Sequence, residues 1–169
     1  ISCLIVTFVL RLVFKNKSFW TIYFLTTILC FGVFYYKLYS PTLTIVVPAN
    51  YSGDVDLILS NVSENILKLD SNGIGYLNDW TFEKTYTRPV VIDENGNNLD
   101  SLLVGFNPST FWGLRKSCCI DNEQVYSKGF EIKKNKLDRE FEARSLTDLV
   151  DRKLTKTFKP DKHTTIQTE

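Results

Sequence analysis

Two stretches of the chain combine residue types that could do chemistry. Arg115 to Asp121, RKSCCID, holds two adjacent cysteines, and such a pair can exchange disulfides, bind a soft metal or form a local disulfide. Phe106 to Gly113, FNPSTFWG, places three aromatic rings beside Pro and Gly. Aromatic loops often bind ligands or partners, so this stretch supplies the candidate binding residues Asn107, Phe111 and Trp112. We favour the alternative that its rings plug the core of a small domain.

Residues for other kinds of catalysis are scarce. The one histidine, His163, lies in a polar C-terminal segment, and neither a G-x-S-x-G elbow nor a Gly-rich phosphate loop occurs. Cys3 and Cys30 lie in apolar segments, which leaves too few ligands for zinc around Cys118 and Cys119. We therefore predict no enzymatic activity, no cofactor and no metal site.

Carboxylates offer one further candidate site. Asp54 and Asp56 alternate with apolar residues and so share one face of a predicted strand, while Asp93, Glu94 and Asp100 border a turn. Oxygen ligands of this kind suit Ca²⁺, but none of the spacings matches a known calcium loop. Solvated strand faces and turn caps are the interpretation that we favour.

An uncharged apolar segment precedes these residues. Ser18 to Tyr36 contains 19 residues without a charge, which as a helix reach roughly 28 Å, close to the hydrocarbon thickness of a bilayer. Aromatic residues cluster at both ends, where membrane interfaces favour them. We predict a transmembrane region over 1–39 with its main span at 18–36. Ile1 to Phe14 is interpreted as the end of a preceding span in a helical hairpin, or else as the region before a single signal-anchor.

The charge distribution orients the chain. Arg11, Lys15 and Lys17 precede the main span and Lys37 alone follows it closely, so the positive-inside rule leaves everything after Tyr39 outside the cytoplasm. We predict the inner membrane as the location, and a missing N-terminus because the sequence has no Met. From residue 41 onward, 16 basic and 19 acidic residues give a net charge of −3. This balance argues against nucleic acid as a partner.

Residues 41–157 show the pattern of a small β-domain. Short alternating or β-branched runs are separated by turn signals, including Asn-Gly pairs at 72–73 and 95–96. We predict an all-β fold, a small antiparallel β-sandwich or open barrel with one C-terminal helix that begins after Ser145. The first two strands, 42–47 and 54–59, are expected to form a hairpin. Residues 158–169 are expected to be a disordered tail. The remaining strands are expected over 65–69, 74–77, 87–92, 99–106 and 130–133.

Four stretches carry a resemblance to a known family: IVVPANYSGDVDLIL at 45–59, LDSNGIGYLND at 69–79, VIDENGNN at 91–98 and LLVGFNPSTFWG at 102–113. Together they resemble an uncharacterised family of exported bacterial β-domains, whose members are often anchored by a lipid or a membrane segment. The resemblance covers roughly residues 42–113 and implies a bacterial envelope protein, with no activity to transfer.

These observations predict a membrane-anchored module outside the cytoplasm that binds, assembles or supports other components of the cell envelope. Its expected partners are the membrane and another envelope protein. The alternative is a thiol-disulfide protein of the envelope that uses Cys118 and Cys119; a local disulfide or a buried pair is the interpretation of these cysteines that we favour. A hydrolase with an unrecognised catalytic site is a more distant third.

Overall fold

A computed structural model describes residues 2–14, 17–107, 109–134 and 145–159. The chain divides into two compact units, Ile1–Tyr39 and Ser40–Glu169.

The N-terminal unit consists of two helices, α1 (Ser2–Val13) and α2 (Phe19–Leu38). They pack against each other, and the guanidinium of Arg11 lies 5.6 Å from the centre of the Phe19 ring. With 20 residues, α2 is about 30 Å long. The predicted span at 18–36 lies within α2 except for its first residue.

Helix α2 is exposed almost all round. Its one buried residue is Thr26, although the helix carries no charge before Lys37 in its last turn and reaches a mean hydropathy of 1.5 over 18 residues. The core helix of a soluble domain instead buries an apolar stripe against its neighbours. The large exposed apolar side chains of α2 include Trp20, Phe24, Leu25, Ile28, Leu29, Phe31, Val33, Phe34, Tyr35, Tyr36 and Leu38.

The second unit is rich in β-structure and contains two sheets. The elements are β1 (Thr44–Val47), β2 (Gly53–Leu59), β3 (Ile74–Leu77), α3 (Asp79–Lys84), β4 (Val90–Asp93), β5 (Leu103–Gly105), β6 (Gly113–Ile120), β7 (Glu123–Ile132), α4 (Leu146–Leu149) and β8 (Thr157–Phe158). A single 3₁₀ turn, Asp100–Leu102, precedes β5.

Strand β7 is the centre of the six-stranded sheet. It pairs in antiparallel fashion with β2 and β8, and also with β5 and β6, while β3 joins the far side of β2 in parallel. At ten residues, β7 is long enough to hold different partners along its two halves. The strands that carry the candidate site residues are therefore all positioned by β7.

The smaller sheet pairs β1 with β4 in parallel. The segment 66–69 connects it to the larger sheet, because Val46 N–H donates to Leu67 O at 2.9 Å while Ile66 N–H donates to Tyr76 O at 2.8 Å. Both sheets thus surround one apolar core. Its buried members are Leu43, Ile45, Val47, Val55, Leu57, Leu69, Leu77, Val91, Leu103, Trp112, Phe130 and Ile132.

A second apolar cluster covers the other face of the six-stranded sheet. Side chains alternate along β2, so Ile58 lies on the face opposite Val55 and Leu57. Helix α4 closes this face with Leu146, and Val150 follows directly after the helix. The remaining buried members are Ile74, Tyr76, Ile120 and Val125.

The prediction of an all-β domain with one C-terminal helix is imprecise: the chain's described residues contain four α-helices, of which α1 and α2 form the N-terminal unit and α3 and α4 lie in the β-rich unit. Helix α3 was not expected. The side chain of Asn78 caps its N-terminus by accepting a hydrogen bond from Thr81 N at 2.9 Å, as short polar side chains do at helix starts. The predicted C-terminal helix is present as α4, but it ends at Leu149.

The strands are also not purely antiparallel. β1 pairs with β4 and not with β2, so the expected hairpin of 42–47 with 54–59 does not form. The turn after Pro48 instead carries the chain from one sheet to the other. Both Asn-Gly turns are present, with positive φ at Gly73 (75°) and Gly96 (82°). Phe158, the first residue of the predicted tail, lies in β8; residues 160–169, including His163, lie outside the described residues.

Candidate functional site

The aromatic loop, residues 106, 107 and 109–112, connects β5 to β6. The side chain of Asn107 accepts a hydrogen bond from Ser109 N at 2.9 Å, and its carbonyl accepts one from Phe111 N at 2.7 Å. These bonds make a tight turn in which Phe111 adopts a φ of 64°. A bulky residue rarely adopts this conformation, so the packing around Phe111 must hold it there.

Trp112 belongs to the core. It is 2% exposed, its ring centre lies 5.6 Å from that of Phe130, and its Nε1–H donates to Thr87 O at 2.7 Å. A side chain that is enclosed and hydrogen-bonded in this way plugs the domain and offers no surface to a ligand. Any binding by the loop would therefore use Phe111 and Asn107 without Trp112.

Phe111 lies between the core and the surface. One side of its ring packs on Phe130, at 5.6 Å between centres, and Gly105 lacks the side chain that would collide with the Phe111 backbone. The guanidinium of Arg88 also lies on the Phe111 ring, 5.3 Å from the ring centre. Asn107 and Arg88 are exposed. The loop thus exposes the amide of Asn107 and part of the Phe111 ring, and Arg88 adds a guanidinium beside them.

The cysteine pair lies at the other end of β6. Cys118 and Cys119 are joined as a disulfide between neighbouring residues, where the pairing of β6 with β7 shifts register. Both are exposed, so of the two favoured interpretations the pair takes the form of a local disulfide and not that of a buried pair. Cys118 is six positions after Trp112 along the strand, a distance of about 20 Å. The two candidate stretches are therefore not parts of one site.

A charged cluster spans the six-stranded sheet between these two ends. Arg115 on β6 lies 3.5 Å from the carboxylate of Asp56 and 3.7 Å from that of Asp54, both on β2. The Arg115 guanidinium also lies 4.3 Å from the centre of the Phe106 ring, and Ser127 Oγ donates to Asp56 Oδ1 at 3.3 Å. The side chain of Asp56 is 1% exposed, against 29% for that of Arg115.

This geometry corrects one interpretation from the sequence. Asp54 and Asp56 do share a face of β2, but Asp56 is buried against a cation and is not a solvated strand residue. Among the described residues no group of three His, Cys, Asp or Glu side chains is placed to hold a metal ion. The cluster joins β6 to β2 across β7 and acts as a structural ion pair.

The turn at 93–97 likewise uses its carboxylate for capping. Asp93 accepts hydrogen bonds from Asn95 N (2.9 Å), Asn97 N (2.8 Å) and Asn97 Nδ2 (2.8 Å). The hydrogen bond from the Asn97 side chain is the main cause that lowers the pKa of Asp93 from its ordinary value. The interpretation as a turn cap thus explains Asp93 without a calcium ion.

One buried cation was not expected from the sequence. The ammonium of Lys128, in the middle of β7, donates to Phe82 O and to Thr85 O and lies 5.0 Å from the centre of the Phe82 ring. Burial lowers the pKa of Lys128 from 10.5 to about 8. Its partners are carbonyls at the end of α3, where a helix leaves acceptors unpaired and favours a cation.

Arg115 and Lys128 were missed because their strands were not recognised. None of the expected strands covers RKSCCID, yet Asp121 and Asn122 both adopt positive φ (50° and 67°) between the paired residues Ile120 and Glu123. This is a two-residue type I′ turn, which Asp and Asn favour. The alternation on either side of Asp121-Asn122 was the signal that would have revealed a β6–β7 hairpin.

Comparison with known proteins adds little to this geometry. No protein-family model and no curated protein matches the sequence. A solved structure from Bacillus anthracis, named "Putative Lipoprotein", is similar with a TM-score of 0.34 and 17% identity, over 62% of this chain and 78% of that chain. The resemblance to exported bacterial β-domains therefore stays a prediction.

Proposed function

We propose that this chain is a bacterial envelope protein, anchored in the inner membrane by α2, whose β-rich unit lies outside the cytoplasm and serves as a binding, assembly or structural module. The observation that carries the anchor is the exposure of α2. A 20-residue helix with apolar side chains on all sides is stable in a bilayer, where those side chains meet lipid.

The orientation follows from the charges that flank α2. Arg11, Lys15 and Lys17 precede it and Lys37 lies in its last turn, so the positive-inside rule assigns the residues before α2 to the cytoplasm. Ser40 and the residues after it are then outside the cytoplasm.

A comparison of two variants, one in α2 and one in β6, tests the anchor. Ile28 in α2 and Leu114 in β6 are both 72% exposed apolar residues. Lys at the centre of a span costs about 3 kcal/mol of insertion free energy. We expect Leu25→Lys with Ile28→Lys to move the full chain out of carbonate-washed membranes, and Leu114→Lys to leave it there. Equal release of both variants would contradict the anchor.

The proposed binding surface of the module is the aromatic loop, where Asn107 is exposed and Phe111 is half-buried. The intact chain, extracted in mild detergent after crosslinking in cells, is expected to recover an envelope partner. Recovery should fall with Phe111→Ser and persist when Cys118 and Cys119 are both changed to Ser. Loss of the partner in the cysteine variant alone would favour the second candidate.

That second candidate is a thiol-disulfide protein, and the observation that favours it is the exposure of both cysteines on β6. Exchange would begin when an external thiolate attacks one sulfur, forms a mixed disulfide and releases the other cysteine as a thiolate. The full chain should then oxidise a reduced, unfolded substrate protein in stoichiometric amounts. No oxidation above that of the variant with Cys118→Ser and Cys119→Ser would exclude this function.

A further inference from the structure

Three exposed side chains line one stretch of the β-rich unit just before and within β4. Tyr86, Arg88 and Val90 are exposed, whereas the residues between them, Thr87 and Pro89, are partly or fully buried. We call them the 86–90 face. Tyr86 is 47% exposed.

The 86–90 face is fixed to the residues that follow α2. Tyr86 N–H and Thr87 N–H both donate to Ser40 Oγ, at 3.0 and 3.2 Å. Thr87 Oγ1 donates to Pro41 O at 3.1 Å, and Val90 N–H donates to Leu43 O at 2.9 Å. All of these contacts lie within the β-rich unit, and they bind the segment 86–90 along residues 40–43.

The covalent chain limits how far this face can lie from the end of α2. Ser40 comes two residues after Leu38, the last residue of α2. Two residues of extended chain reach at most about 7 Å. The headgroup layer of a bilayer is about 5 to 8 Å thick on each side, so an α2 that spans the membrane keeps Ser40 in or beside that layer at any angle between the two units.

We propose that Tyr86, Arg88 and Val90 contact the phospholipid headgroups of the bilayer that holds α2. The inference rests on the proposed membrane anchoring. Tyrosine is enriched at this depth because its ring is apolar and its hydroxyl is polar. A guanidinium has five donors that suit phosphate oxygens.

Arg88 is already held in place for such a contact. Its guanidinium lies on the Phe111 ring and donates through one nitrogen to Asp100 O, which leaves further donors for a phosphate. Glu83 in α3 is an exposed acidic neighbour in sequence, and Lys84 beside it balances its charge. The lipid contact also explains why Tyr86 and Val90 are left outside the apolar core.

The full chain in lipid nanodiscs tests the inference. Phosphatidylcholine with bromine atoms on acyl carbons near the headgroup quenches tryptophan at short range. We expect it to reduce the added fluorescence of Tyr86→Trp by roughly half, because bromine at that depth borders the headgroup layer. The matched control is Asn95→Trp, an exposed position in the turn at the opposite end of β4, which we expect to keep its fluorescence. Equal quenching of the two added tryptophans, or none at Tyr86→Trp, would overturn the proposal.

Quenching of Trp20 distinguishes a missing headgroup contact at Tyr86 from failure of the membrane anchor. Trp20 lies in α2, so the quenching that disappears on Trp20→Phe reports whether α2 is in lipid. If Trp20 is quenched and Tyr86→Trp is not, the headgroup contact is wrong and the anchor stands. If Trp20 is not quenched, the proposed membrane anchoring is itself wrong.

A separate measurement tests whether the Arg88 guanidinium contacts lipid phosphate. Replacing part of the lipid with anionic phosphatidylglycerol should increase the quenching of Tyr86→Trp, because Arg88 is drawn to the negative surface. Adding Arg88→Gln should abolish that increase. An increase that survives Arg88→Gln would overturn the contact between Arg88 and phosphate.

Discussion

The guanidinium of Arg115 and the carboxylate of Asp56 lie 3.5 Å apart across the central strand of the larger sheet. Arg115 belongs to β6 and Asp56 to β2, with β7 between them. Gly129 on β7 makes this approach feasible, since a Cβ there would come within 2.9 Å of Asp56 Oδ1. The ion pair thus holds together two strands that share no backbone hydrogen bonds.

Removing the cation should destabilise the domain. Arg115→Gln leaves the buried carboxylate of Asp56 without its counter-charge, and we expect the free energy of unfolding to fall by about 3 kcal/mol. Urea denaturation of the detergent-solubilised chain, followed by tryptophan fluorescence, measures the change. The control is Lys68→Gln, which breaks an exposed pair with Glu94 and should cost less than about 1 kcal/mol. Similar losses in both variants would show that Arg115 and Asp56 behave as a surface pair.

Lys128 should make stability depend on pH in the alkaline range. Burial lowers the pKa of Lys128 from 10.5 in the unfolded chain to about 8, so between these values the folded state binds fewer protons than the unfolded state. The free energy of unfolding should then rise with pH from about 8 towards 10.5, by at most about 1.4 kcal/mol per pH unit. Lys128→Met should remove this slope, and Lys68→Met should keep it.

Tyr76 limits the pH range of that experiment. Burial raises the pKa of Tyr76 above its ordinary value of 10.0, so the folded state keeps this proton longer and loses stability above pH 10. Comparing Lys128→Met with the parent chain between pH 7 and pH 9.5, below the ordinary pKa of tyrosine, isolates the contribution of the lysine. An unchanged slope in the variant would refute the assignment.

Trp112 should matter for folding more than for binding. Trp112→Phe removes the donor to Thr87 O and leaves space in the core, which should cost about 2 kcal/mol or more in the free energy of unfolding. Asn107→Ala removes an exposed hydrogen bond and should cost less than about 1 kcal/mol. Thermal unfolding followed by near-ultraviolet circular dichroism distinguishes the two. A stable Trp112→Phe variant with lost partner binding would reverse the roles assigned to Trp112 and Phe111.

The cysteine pair should be dispensable for the fold. Both side chains are exposed at the end of β6, so the double change Cys118→Ser and Cys119→Ser should alter the free energy of unfolding by less than about 1 kcal/mol. In the denatured parent chain a maleimide should label two of the four cysteines before reduction and all four afterwards, as read by intact mass. Labelling of all four before reduction would show that the pair is not oxidised.

Local sequence patterns predicted individual strands and turns better than they predicted the pairing between strands. Alternation located β2, and Asn-Gly pairs located the turns at Gly73 and Gly96, because both signals depend on neighbouring residues. The pairing of β1 with β4 depends on residues more than 40 positions apart, as Thr44 and Val90 are, and local patterns say little about such contacts. Helix α3 has only six residues and therefore too short an apolar period to detect.

The sequence predicted the residue types of the candidate site but not their burial or their partners. Asn107, Phe111 and Trp112 were chosen for their residue types, but burial separated Trp112 from the other two, and burial depends on which strands surround it. The shared face of Asp54 and Asp56 was visible from alternation alone. Their partner Arg115 was not, because the Asp121-Asn122 turn that creates β6 and β7 was not recognised.

The central position of β7 has a consequence for how the protein is made. If the chain crosses the membrane from α2 onward, as proposed, β1 is delivered early and β7 close to the end. β2 cannot complete its hydrogen bonds until then, since its antiparallel partner is β7, with Gly53 opposite Ile132 and Ile58 opposite Ser127. During translocation its open edge is available to other chains and to proteases. On the proposed topology, export of this domain would therefore depend on how quickly residues 123–132 arrive.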